Sequence, residues 1–191
     1  IQGLNSLAAT FGKTGDEILS SLKEITKGQL STAELAQQAN LALSAGLGNQ
    51  LEGLTEVSLK ASRALGRSLP DAFTRIIRGA GKLEPELLDE LGIFTRIDPA
   101  VEKYALQTGK AASSLTNFER RQAFANAVLE EGQRKFSSIN TTTATSAEKL
   151  EKLAATLVDI GTKIGSFVAD VLAPFADFIT DNLAAAVLAI S

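Results

Sequence analysis

The chain has 191 residues, 45% of them hydrophobic, and a net charge of −3; it contains no His, Cys, Met or Trp. Disulfides, thiolate metal sites and a histidine base or metal ligand are therefore excluded, and the acidic balance gives no whole-chain attraction to nucleic acid. Sparse aromatics (nine Phe and one Tyr) with abundant Ala and Gly suit close helix packing, since Ala is the best helix former.

Almost everything reads as helix. Thr14 or Gly15 opens one, with Asp16 and Glu17 in the first turn, where carboxylates complement the macrodipole. It runs through Ile18, Leu19, Leu22 and Ile25 and stops near Gly28. Ser31-Thr-Ala-Glu34 is a capping-box pattern, followed by a buried face of Leu35, Ala39, Ala42 and Leu43; the Gly46–Asn49 cluster ends that helix. A third spans about 50–65, with Leu51, Leu54, Val57, Ala61 and Leu65 on one side. Pro70 sits in the first turn of the next, which carries Phe73, Ile76 and Ile77 and is expected to stop at Gly79 and Gly81. Pro85 to Gly92 forms a short helix, and Asp98-Pro99 starts another that carries Val101, Tyr104 and Ala105 to about Lys110. Thr116-Asn-Phe-Glu119 is a second capping box, opening a helix to about Phe136 with Phe118, Ala125, Leu129 and Phe136 on one stripe. Residues 137–146 are almost all Ser and Thr, which favour turns and caps.

From Leu150 onward the pattern changes. Leu150, Leu153, Leu157, Ile160, Ile164, Phe167 and Val171 recur in steps of three and four, a 3.5-residue period that marks a seam between packed helices. Gly161-Thr-Lys-Ile-Gly165 lies inside it, a spacing that lets two backbones approach closely. Lys163, Asp170 and Asp177 recur at sevens on another face, as a solvated stripe or a wet channel would. Pro174 is expected to kink the helix. Asp177 and Asp181 leave no uncharged run long enough for a membrane span, although the apolar ending could begin one.

Motifs suggesting chemistry dissolve on inspection. Ser20-Ser-Leu-Lys23 and Lys13-Thr-Gly15 match penicillin-binding signatures, but in reversed order, too close together and without the Ser-Asp-Asn element. Gly12-Lys13-Thr14 lacks the upstream glycine of a phosphate loop. Asp89 and Glu90 are helical neighbours and do not face each other. The basic cluster Arg63, Arg67, Arg75, Arg78 and Lys82 is expected to balance Glu84, Glu86, Asp89 and Glu90, since no aromatics are interleaved for base stacking. Asn140-Thr-Thr142 is a glycosylation sequon, meaningful only in a secretory pathway. No catalytic, cofactor-binding or metal residue is expected, nor a specific nucleic-acid site.

Between residues 31 and 136 a series of blocks resembles the tail tape measure proteins of tailed bacteriophages. The blocks are Ala64-Leu-Gly-Arg67, Asp71 to Gly79, Glu84 to Ile93, Tyr104-Ala with Gly109-Lys110, and Leu115 to Ala123 with Asn126 and Glu130-Glu-Gly132. The resemblance implies a long, mostly helical structural protein that sets tail length, lies in the tail lumen or tip, and leaves ahead of DNA at infection. It also implies a few copies per tail, often three, contacts with tail-tube, distal-tail or tail-tip proteins, and for some members a path through the host envelope. The expectation is thus an all-α, non-enzymatic chain: a compact helical region over 1–138, a Ser/Thr linker over 139–146, and a self-associating amphipathic helix over 147–191. A membrane-active or pore-forming protein is the rival reading. The absence of Met further suggests a piece of something longer.

Overall fold

A computed structural model of the chain describes residues 2–172, and among these every regular element is helical. The nine α-helices are α1 (Gln2–Ala9), α2 (Gly15–Ile25), α3 (Thr32–Ser44), α4 (Leu51–Leu65), α5 (Leu69–Lys82), α6 (Pro85–Asp89), α7 (Ile97–Thr108), α8 (Asn117–Lys135) and α9 (Ser146–Phe167). A single 3-10 turn covers Ala112–Ser114, and a π turn at Val168–Leu172 follows α9. Pro174, with the kink expected there, and Asp177 lie outside the described residues, as does the side chain of Val171.

Local chemistry sets the helix starts. Thr14, Ser31, Thr116 and Thr145 each accept a hydrogen bond from the backbone N–H three residues on. Glu17, Glu34, Glu119 and Glu148 reach back to the cap N–H in turn. The last of these boxes, Thr145-Ser-Ala-Glu148, escapes a reading that stops at the Ser/Thr run. Ser68 caps α5 with Pro70 in its first turn. Helix α1, missed in the sequence, is short and ends in turns at Gly12, whose φ of 69° suits glycine.

Apolar faces drive α1–α5 and α8 together. Leu22, Leu35, Leu54, Val57, Phe73, Ile76, Ile77, Phe124 and Val128 are all sealed from solvent. A smaller cluster of Val101, Ala105, Leu115 and Ala123 joins α7 to α8. At the start of α4, the buried Gln50 Nε2 donates to Gln122 Oε1 at 2.7 Å and Asn126 Oδ1 at 3.0 Å, which registers α4 against α8.

Several sequence expectations are corrected. Gly79 and Gly81 do not stop α5, which continues to Lys82. They are close-packing points instead: a Cβ at Gly79 would lie 2.8 Å from Leu88 Cδ2, and one at Gly81 would lie 2.9 Å from Ala45 Cβ. Leu65 ends α4 42% exposed rather than joining the buried side. Phe118 is also exposed, its ring lying against Gly46. Helix α7 begins at Ile97, with Arg96 in the cap position, just ahead of Asp98.

Candidate interaction surface

Helix α9 inverts the usual logic of an amphipathic helix. Its two buried residues are Glu148 and Ala155, while Leu150, Leu153, Leu157, Ile160, Ile164 and Phe167 are 47–67% exposed. Val158 and Val168 extend the exposed apolar surface. An α-helix turns about 100° per residue, so the face carrying Glu148, Ala155 and Asp159 lies about 150° from the centre of the seam. The helix therefore sits on the body by one face and offers the other to solvent.

Two carboxylate clamps hold the docked face. Arg63 of α4 meets Glu148 as a bidentate pair, Nε to Oε1 at 2.5 Å and Nη2 to Oε2 at 2.7 Å, with both side chains about nine-tenths buried. Nη1 of the same guanidinium donates to the Asn140 carbonyl at 2.6 Å, tying down the Ser/Thr connection. Lys27 Nζ also donates to this connection, at the Thr141 carbonyl.

Farther along, Asp159 accepts from Lys23 Nζ at 2.8 Å, from the Thr32 N–H at 2.8 Å and from the Thr32 hydroxyl at 3.0 Å. It thereby caps the N-terminus of α3 from another helix, where a negative charge is favoured. Burial pushes the Asp159 carboxyl up, but Lys23 and Thr32 outweigh it and the pKa lies below the ordinary 3.8. Between the clamps, Glu151 is shifted upward by burial and by the neighbouring Glu148 charge. The Lys152 stem passes Gly28, where a Cβ would stand 3.6 Å from Lys152 Cε.

The structure thus places six of the seven seam residues on one exposed stripe. Gly161 and Gly165 are exposed too, with nothing within 4 Å of a Cβ at either position. At the same helical pitch they lie about 70° and about 110° from the seam centre, along one of its edges. Lys163 and Asp170 are exposed.

The basic cluster divides. Arg75 pairs with Glu90 at 2.6 Å, as expected, but also with Asp71 at 2.9 Å, and Arg67 pairs with Asp71 at 3.0 Å, a carboxylate one turn away that lies outside the expected set. Arg63 departs further, its partner Glu148 standing 85 residues downstream. Asp89 and Glu90 diverge as expected, the first to Arg96 and the second to Arg75. Arg78 and Lys82 border a groove between α3 and α5 and make no ion pair among the described residues.

No family model matches the chain, and no solved structure matches it significantly. Among the described residues, no helix is long and apolar enough to cross a membrane.

Proposed function

We propose that this chain is a structural segment of a bacteriophage tail tape measure protein: a compact helical body carrying a coiled-coil-like helix through which copies associate. The observation that carries the association is the exposed stripe of Leu150, Leu153, Leu157, Ile160, Ile164 and Phe167, turned away from the face by which α9 sits on its own body. Fully burying a large aliphatic or aromatic side chain contributes about 1.5–3 kcal/mol, so covering six half-exposed ones contributes roughly 5–9 kcal/mol per chain before association costs. Because the two faces are opposed, seams can meet while each helix stays on its body. The tail assignment rests on the resemblance of residues 31–136 to tape measure proteins. By that resemblance the assembly is a trimer in the tail lumen or tip, touching tail-tube, distal-tail or tail-tip proteins, and it precedes DNA out of the particle.

The test is made in a phage that encodes this chain. Mass spectrometry of purified tails is expected to recover its peptides at a few copies per particle, and in-frame shortening of its gene is expected to shorten the tail. Tails of normal length, or particles lacking the chain, would overturn the assignment. The same exposed stripe also favours a second reading, in which α9 lies in a membrane surface and helps open the host envelope. Leakage of liposomes driven by the whole chain, and abolished by Ile164→Asp, would support that reading over self-association.

A further inference from the structure

We infer that α9 is a detachable arm, held to the helical body by charge at two points and free to swing away as an intact helix. The apolar contribution to its docking is small: Ala155 is the only hydrophobic residue of the helix that becomes buried, Val158 borders the body half-exposed, and the six large seam side chains face outward. What remains is polar. The Arg63–Glu148 pair fixes the first turn, and the Lys23–Asp159–Thr32 cluster fixes the helix about three turns later. Between them lies a groove lined by Gln29, Ser31, Pro70, Glu151, Ala155 and Val158, so the mid-section of the helix closes on the body only around Ala155.

The helix carries its N-terminal cap with it. Its N-terminus is capped by Thr145 and Glu148 within α9 itself, and its backbone bonds are internal. The attachment upstream is the Ser/Thr connection, which can act as a hinge once Arg63 releases Glu148 and the Asn140 carbonyl and Lys27 releases the Thr141 carbonyl. Opening of such a unit draws on only the few contacts it makes, well below the free energy of unfolding the body. This inference concerns one chain and stands whether or not the tail assignment does.

A distance measurement decides it. The chain has no cysteine, so Gln37→Cys on α3 and Thr162→Cys on α9, both at exposed positions, take a pair of spin labels. An excess of unlabelled chain suppresses distances between copies. Asp159→Ala and Arg63→Met each cut one clamp, and losing hydrogen bonds to a charged group raises the undocked-to-docked ratio about tenfold or more per clamp. The double variant is expected to show a broad, longer distance while circular dichroism retains the helical content. In the unsubstituted chain, molar salt, where the screening length falls to about 3 Å, is expected to raise the undocked fraction through the half-exposed Lys23. An unchanged short distance in a folded double variant would overturn the inference. Should the double variant not fold, a docked fraction in the unsubstituted chain that ignores salt would overturn it equally.

Discussion

Replacing Gly161 and Gly165 together by Ala separates two ways in which α9 can meet a partner. Within one chain neither position has a neighbour within 4 Å, so the added methyl groups meet only solvent. Glycine inside a helix costs about 1 kcal/mol relative to Ala. The double substitution is therefore expected to stabilise α9 by about 2 kcal/mol, which slows amide exchange by local opening about 30-fold. Hydrogen exchange read by mass spectrometry over 150–167 measures that, and light scattering on the same sample measures mass. If copies meet along Leu150, Leu153, Leu157, Ile160, Ile164 and Phe167, the glycines lie at the margin of the contact: exchange slows and mass is unchanged. Exchange that fails to slow, together with a lower mass, would place the contact on the glycine edge and refute the reasoning.

Two further predictions concern the body. Gly79→Ala gains about 1 kcal/mol of helix propensity, but its Cβ would stand 2.8 Å from Leu88 Cδ2 and 3.3 Å from the Glu84 carbonyl. Overpacking costs about 1–3 kcal/mol, so a net loss of up to about 2 kcal/mol in urea unfolding is expected, and a gain would contradict the packing described. Glu119 is held down to about 2 by Lys110 and by the Thr116 N–H and hydroxyl, against an ordinary 4.5. Its contribution to α8 is therefore complete above pH 4.5 and is lost as pH falls from there to about 2. A carbon-detected NMR titration is expected to give a midpoint near the low value, moved up by Lys110→Gln; an ordinary midpoint would show that the pair does not form in solution.

Much of the body is legible in the sequence because its signals are local. A hydroxyl followed three residues later by Glu marks the starts of α3 and α8, and the periodic faces name Leu35, Ala39, Leu54, Val57, Phe73, Ile76 and Ile77 correctly as core. Gly79 and Gly81 mislead because glycine marks both a helix end and a close approach, and only the neighbouring Leu88 and Ala45 distinguish the two. Leu65 misleads because periodicity gives a face but not where that face runs off the core. At the candidate surface the seam is visible as a pattern, yet the clamps are not, since Arg63 and Glu148 stand 85 residues apart, and Lys23 and Asp159 stand 136 apart. One signal was present: Glu148, Ala155 and Asp159 recur at seven and four on the face opposite the seam.

The most direct test of seam-mediated association is the mass of the chain in solution, measured by light scattering across concentration for the unsubstituted protein and for Ile164→Asp. Ile164 is 58% exposed and lies on the opposite face of α9 from Glu148 and Asp159, so the substitution leaves the clamps and the body intact. Within a packed seam, however, it would bury an unpaired carboxylate in every copy. A multiple of the chain mass that falls to that of one chain in Ile164→Asp, with helical content retained, is the expected result. A single-chain mass for the unsubstituted protein, or an unchanged multiple in the variant, would contradict association through this seam.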